Sequence, residues 1–339
     1  MVFAEKWTQA RGRGMAGFVK RMLIGLAALG CAAMGAAAQD VYPSRQVRMV
    51  MPFPPGSSTD ILARIMADQL SRKWGQPVVV NNVVGATGNI GAANVFRAAP
   101  DGYTLLFAPP TAYATNAALF KNPGYDQDKW SPLGLVAIVP YVLAVRPGFP
   151  GSTVADLVEY ARQNPGKAKY ATAGLGSTIQ LAALEFGRRA NINILEVPYR
   201  GAAPALTAVM AGEADFLFEV ISTSIPMLKD GLIKPLGVGS INRSMFLPNV
   251  PTVAEQGFPG FRALTWFAMA GPPGMAPTLV QKINNDIRAI LAEPDVIERL
   301  RAVQMEPSPM TPEETAKWFR EEAELWGRVI KDAGIAPSD

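Results

Sequence analysis

Two segments of the 339-residue sequence set the same residue types in the same order. Met49-Val50-Met51-Pro52-Phe53-Pro54-Pro55-Gly56-Ser57-Ser58-Thr59-Asp60 runs from apolar residues into a glycine and hydroxyl turn and then a helix start, and Tyr170-Ala171-Thr172-Ala173-Gly174-Leu175-Gly176-Ser177-Thr178 does the same. The chemistry this arrangement allows is anion capture. N–H groups in a helix's first turn have no intrahelical acceptor, and the helix dipole favours negative charge there. Glycine lets the backbone approach a ligand closely, while Ser and Thr add donors. Hydrogen bonds to a charged group contribute roughly 1.5–3 kcal/mol each, and micromolar affinity needs about 8 kcal/mol net, so about four to six would hold a carboxylate without a pocket arginine. The plainer alternative is that Ser58, Thr59, Ser177 and Thr178 are helix caps and nothing more. Recurrence of the pattern in both halves of the chain favours the ligand reading.

Other chemistry is thinly represented. There is no histidine, which removes the commonest general base, the usual partner of a serine nucleophile and the commonest zinc ligand. Gly85-Ala86-Thr87-Gly88-Asn89-Ile90-Gly91 resembles the glycine motif of short-chain dehydrogenases, and Tyr125 and Lys129 have the spacing of that family's proton-transfer pair. The context argues against it: Tyr125 sits in Asn122-Pro123-Gly124-Tyr125, where a catalytic helix cannot run, and no apolar strand with an acid follows the glycines. Glu219 closes an apolar run at 216–220, a position that faces a cleft in open α/β sheets; it reads equally as a ligand contact for a hydroxyl or amine and as a solvated strand end. Trp266 and Phe267 read as core.

These residues need a frame, and the pattern supplies an α/β one. Strands are expected at 47–53, 78–80, 103–108, 136–145, 169–173, 194–198, 216–220, 233–238 and 264–270. Helices are expected at 60–74, 92–97, 154–163, from Ser177-Thr178 to about 190, and at 204–211, 278–291, 294–303 and 312–333. The last opens on Thr311-Pro312-Glu313-Glu314, a capping box with proline in the first helical position. Alternating strands and helices imply a mostly parallel sheet in each half. The terminal helices have no sheet of their own, so the chain is expected to return to its first lobe. That gives lobe one as 39–143 with 262–339, lobe two as 144–261, and a ligand cleft between them.

Residues 1–38 read as a secretory leader: Lys6, Arg11, Arg13, Lys20 and Arg21, an apolar stretch from Met22 to Ala37, and Ala36-Ala37-Ala38 before Gln39. The apolar stretch is short for a membrane span. Cys31, the sole cysteine, follows Leu29-Gly30 as in a lipoprotein signal, but Ala28 stands where that signal prefers a large aliphatic residue. Export to the periplasm by a cleavable leader is therefore expected, ahead of lipid anchoring. Without the leader, basic and acidic residues balance, and no run of Lys or Arg offers a footprint for nucleic acid. The exported chain would also lack any disulfide or thiolate chemistry.

Read together, these stretches resemble the extracytoplasmic substrate-binding receptors of tripartite tricarboxylate transporters, the Bug family. The resemblance runs from about Tyr42 to Ala333. It is carried by the first loop through Asp60, Gly85 to Gly91, Ala99-Pro100-Asp101-Gly102-Tyr103-Thr104-Leu105, Gly174-Leu175-Gly176-Ser177-Thr178, Val197-Pro198-Tyr199-Arg200-Gly201 and Pro248-Asn249-Val250-Pro251-Thr252. It implies a two-lobe Venus-flytrap fold that closes on a small organic acid, a binding protein and not an enzyme, with no cofactor or metal. Its partners would be the ligand and a membrane permease, and the chain a monomer. A sensor kinase docking on the same closed form is the alternative output. The implied ligand set is Pro54, Ser57, Ser58 and Thr59 from the first loop, Ala86, Thr87 and Gly88 from the glycine loop, Thr111, then Gly176, Ser177 and Thr178, with Tyr199 and Glu219. Three residues depart from the family pattern: Ser57 replaces a second glycine, Gln180 a frequent histidine, and Glu219 an aspartate. Each bears on which acid is bound.

Overall fold

Apolar runs of β-branched and aromatic residues alternate with amphipathic segments, and the computed structural model turns that alternation into strands and helices. It describes residues 42–338 apart from 175 and 176, so the leader, Cys31 and Gly176 lie outside the described residues. In chain order the first elements are β1 (Val47–Met51), α1 (Ser58–Trp74), β2 (Val78–Asn82), α2 (Asn89–Phe96), β3 (Thr104–Ala108), the one-turn α3 (Asn116–Leu119) and β4 (Ser131–Val145). Then come α4 (Val154–Gln163), β5 (Ala168–Thr172), α5 (Thr178–Ala190), β6 (Ile194–Pro198), α6 (Ala202–Met210), β7 (Phe216–Val220), α7 (Ile221–Lys229) and β8 (Lys234–Val238). The chain ends with β9 (Leu264–Gly271), α8 (Pro277–Leu291), α9 (Pro294–Ala302), β10 (Glu306–Pro307) and α10 (Pro312–Asp332).

The strands run β2-β1-β3-β9-β4-β7-β5-β6, with β8 and β10 also pairing with β4. The outer pairs are parallel, β1 with β2 and β3, and β5 with β6 and β7. Around β4 and β9 every pair is antiparallel, so the sheet is mixed and the expected parallel order holds only for the flanks. The reason is β4. Its first part, Ser131 to Pro140, pairs with β9, and its last part, Tyr141 to Val145, pairs with β7 and β8. It begins earlier than its apolar run suggested, because register shifts around Pro132 and Gly134 let two turn-type residues stay in the ladder.

Two cores form along this one strand. Leu135 joins Val50, Leu106, Tyr113, Trp130, Trp266 and Phe319, while Tyr141, Leu143 and Val145 join Leu157, Tyr170, Phe186, Phe216, Phe218 and Phe261. Residues Arg45–Asp339 cluster as one compact unit containing both. The terminal helices do pack against the first core's elements. Asn284 Nδ2 donates to Leu133 O at 2.8 Å, Trp74 Nε1 to Asp286 Oδ2 at 2.7 Å, and Phe319 stacks on Tyr113 at 4.4 Å between ring centroids. α10 also reaches α5: Leu325, Trp326, Val329 and Ile330 form a small apolar cluster with Leu181.

Most helices start where their caps predict. Thr153 with Asp156 and Thr311 with Glu314 both close reciprocal capping boxes. Helix α7 was not expected, since Pro226 lies inside it and removes a backbone donor; burial of Ile221 and Ser224 outweighs that local signal.

Candidate ligand-binding loops

The first loop leaves β1 and turns at Gly56, whose φ of 83° suits glycine. Ser57, not Ser58 or Thr59, is the N-cap of α1: its Oγ accepts from Asp60 N at 3.2 Å and donates to Pro54 O at 3.2 Å. Ser58 and Thr59 are therefore the first two helical residues, whose N–H groups lack intrahelical acceptors. Asp60, buried, organises the turn. Its carboxylate accepts from Gly56 N at 3.0 Å, Arg64 Nε at 2.9 Å, Arg64 Nη2 at 3.1 Å and Asn82 Nδ2 at 2.9 Å. Burial pushes this carboxyl up, yet the hydrogen bonds from Arg64, Asn82 and Gly56 together hold it below the usual carboxylate range. Ile61, assigned to the apolar face of this helix, is 41% exposed, whereas Leu62, Ile65, Met66 and Leu70 are buried.

The second loop repeats the plan with different charges. Gly174 has φ of 103°, Ser177 is the N-cap with its Oγ accepting from Gln180 N at 3.3 Å, and Thr178 begins α5. Thr178 is thus not a cap either, and its Oγ1 accepts from Tyr141 OH at 2.6 Å. Where α1 has Asp60, α5 has Gln180, which donates from Nε2 to both oxygens of Glu196 at 2.9 Å. Glu196 also accepts from Thr172 Oγ1 at 2.7 Å and Tyr170 OH at 3.4 Å.

The glycine loop lies against the first. A Cβ on Gly88 would come within 3.3 Å of Pro52 Cβ, and one on Gly91 within 2.7 Å of Val83 O. Ala86 and Thr87 have φ of 46° and 53°, a left-handed conformation that is costly for a β-branched residue and concentrates at ligand sites. Asn116, fully buried, holds it there by donating to Thr87 O at 3.1 Å and to Asn89 Oδ1 at 2.6 Å. Thr111, in the 3₁₀ turn Pro110–Ala112, abuts this loop and has a buried Oγ1 without a partner among the described residues. Of the dehydrogenase-like pair, Tyr125 donates to Asn89 Oδ1 at 3.2 Å with its phenol pushed up by burial, and Lys129 pairs with Asp126 at 3.0 Å.

Tyr199 stays near the second loop through its backbone, N–H to Thr172 O at 2.9 Å, but its phenol engages Glu213. Glu219 is 1% exposed, so it is not a solvated strand end. A cavity of about 470 Å³ is lined by Ala86, Asn89, Ile90, Arg97, Phe120 and Asn122 and includes no other predicted site residue, so the helix-end geometry, not this cavity, locates the candidate site. Tyr141, Glu196 and Asn116 were missed. Tyr141 and Glu196 lie in segments read only as strands, and Asn116 lies in no recognised motif.

A family model described as the tripartite tricarboxylate transporter family receptor matches residues 62–335. The chain belongs to that family. It is similar to a UPF0065 protein encoded in the tcbD-tcbE intergenic region of Pseudomonas sp. strain P51, 36% identical over 92% of this chain and 93% of that one. Protein BugT of Bordetella pertussis is 34% identical over 87% of this chain and 91% of its own length. Among solved structures, an R. palustris protein with adipate is 36% identical, covers 88% of this chain and all of that one, and superposes with a TM-score of 0.68. A TctC solute-binding protein from Polaromonas, without ligand, is 25% identical and covers 86% and 99%, with a TM-score of 0.80. This receptor is a solute-binding protein of the extracytoplasmic TctC type with an α/β fold, and its relatives are binding proteins rather than enzymes.

Proposed function

We propose that this receptor captures a small organic carboxylate between two lobes, 39–143 with 262–339 and 144–261, and delivers it to a tripartite tricarboxylate-type permease. The observation that carries the reading is the matched pair of helix ends, each with a serine cap and a left-handed glycine. N–H groups of Ser58, Thr59 and Thr178 at the two helix starts, with the strained loop at 86–88 and Thr111, would grip the ligand carboxylate; Tyr199 and Glu219 would line its far side. An R. palustris relative was solved with adipate and another with malate, which supports the ligand class. The higher TM-score to the ligand-free relative, despite lower identity, supports an open resting form that closes on its ligand. The receptor is not a catalyst in this reading, works as a monomer in the periplasm after loss of residues 1–38, and needs no cofactor or nucleic acid.

The test is a thermal-shift screen of mono-, di- and tricarboxylates, guided by mass spectrometry of natively purified protein. Ligand at 100 times its Kd adds about 2.7 kcal/mol of stability. With the hit in hand, Ser58→Ala combined with Thr178→Ala weakens binding about tenfold or more, about 1.4 kcal/mol, while circular dichroism is unchanged. Unchanged affinity in that double variant removes the two hydroxyls from the site, while the backbone N–H groups, which alanine retains, are removed if no acid in the screen binds.

A further inference from the structure

The cavity of about 470 Å³ beside α2 has no part in helix-end capture, and its polar side chains offer donors only. Three asparagines line it, and each has its amide oxygen already engaged. Asn89 Oδ1 accepts from Asn116 Nδ2 at 2.6 Å and from Tyr125 OH at 3.2 Å. Asn94 Oδ1 accepts from Arg48 Nη2 at 2.9 Å, and Asn122 Oδ1 from Gly124 N at 3.1 Å. These partners fix the amide orientations. A guanidinium and a backbone N–H cannot accept, and Asn116 is itself oriented by donating to Thr87 O. What each asparagine has left for the cavity is its NH2 group, and among the described residues none of the three finds an acceptor. Asn89 is only 6% exposed, and a polar group so deeply placed usually has a partner.

Arg97 supplies the charge. Its Nη2 donates to Gly124 O at 3.2 Å, which holds the guanidinium beside the 122–124 turn, and among the described residues it meets no acid. No Asp or Glu lines the cavity. The rest of the wall is apolar: Val83, Phe120 and Ile90, the last 54% exposed. Donors gathered around one unpaired cation suit an anion, and a guanidinium suits a carboxylate in particular because two parallel hydrogen bonds can form. The apolar wall suits a hydrocarbon body, and the volume falls within the roughly 300–1,000 Å³ of small-molecule sites.

We infer that this cavity is a second binding site, distinct from the helix ends, for an organic acid with one carboxylate and an alkyl or aryl body. Arg97 pairs with the carboxylate, the asparagine NH2 groups supply the neutral donors, and Val83, Ile90 and Phe120 cover the body. Of the residues assigned to the ligand loops only Ala86 lines it, so the two sites can be tested separately.

Two-dimensional amide NMR with hexanoate and phenylacetate as probes, against uncharged hexanamide and phenylacetamide, makes that test. Both acids shift the backbone signals of 89–97 and 120–124 and the side-chain NH2 signals of Asn89, Asn94 and Asn122. The uncharged analogues bind there at least about tenfold more weakly. Arg97→Ala weakens the acids by about tenfold or more at these signals, and Arg97→Lys by less, since lysine keeps the charge and loses the paired donors. Arg97 is exposed, so neither change empties a core. Asn122→Asp, which sets a carboxylate against the ligand, gives an independent loss of similar size. Shifts confined to 58–59 and 178, or binding at 89–97 that Arg97→Ala leaves unchanged, overturn the second site and leave capture at the helix ends standing. No response to either acid at 89–97 and 120–124 overturns it as well, while the carboxylate screen decides the helix-end reading by itself.

Discussion

The two helix-end loops share one backbone solution and differ in how they manage a buried acid. At the first, the acid belongs to the helix: Asp60 sits in the third helical position, and Arg64, one turn on, offsets its charge at 2.9 Å. At the second, the same position is Gln180, and the acid is brought from β6 as Glu196, with neutral donors around it. The helices behind the loops are braced differently as well. α1 is tied by polar contacts along its length and far end, Asp68 to Arg299 at 3.2 Å and Trp74 to Asp286 at 2.7 Å. α5 is held near its first turn by Leu181 packed on the apolar face of α10. Helix-end geometry is thus duplicated while its electrostatic setting is not.

The largest expected effect comes from removing the brace unique to the second loop. Trp326→Ala deletes a buried indole that packs in the α10 cluster and donates to Glu322 Oε2 at 2.9 Å, at a cost of about 3–4 kcal/mol in urea unfolding. If the two helices are braced as described, amide exchange then accelerates in α5 far more than in α1. Equal acceleration in both would erase the distinction.

Next comes the acid of the first loop. Asp60→Asn loses about 2 kcal/mol at neutral pH, since Gly56 N and Arg64 lose a charged acceptor, although half-exposed Arg64 is partly screened. Because the Asp60 carboxyl is held below its unfolded value, its contribution is present at neutral pH and disappears as pH falls through the folded value. The stability gap between wild type and variant therefore closes below about pH 4.

The smallest effect has the opposite sign. The folded Glu219 carboxyl is raised, so ionising it disfavours the fold as pH climbs above the ordinary carboxylate value. Glu219→Gln removes that penalty and is about 1 kcal/mol more stable than wild type near neutral pH, with the difference vanishing in acid. Parallel pH dependence of the Asp60 and Glu219 variants in urea titrations would contradict the asymmetry between the loops.

Much of the frame was legible because its signals are local. The capping boxes at Thr153 and Thr311, the glycine turns, and the apolar runs of β1, β3, β7 and β9 depend on residues a few positions apart. The serine caps were read one residue late in the first loop, because Ser57, Ser58 and Thr59 are chemically alike and only backbone geometry distinguishes a cap from a first helical residue. Helix α7 went unread because its proline is a local breaker that tertiary burial overrides. Glu196 and Tyr141 escaped because their partners, Gln180 and Thr178, lie 16 and 37 residues away.

The sequence alone shows an α/β frame, two matching glycine and serine helix starts, no histidine and a family. Those follow from residue type and short-range spacing, which the chain specifies directly. Tertiary structure decided that one strand serves both cores and that, among the described residues, Arg64 offsets one acid while Glu196 and Glu219 have only neutral donors and Glu219 Oε2 is buried without a partner. Charge balance and burial depend on which distant segments come to lie within a few ångströms, and only the folded chain sets that distance.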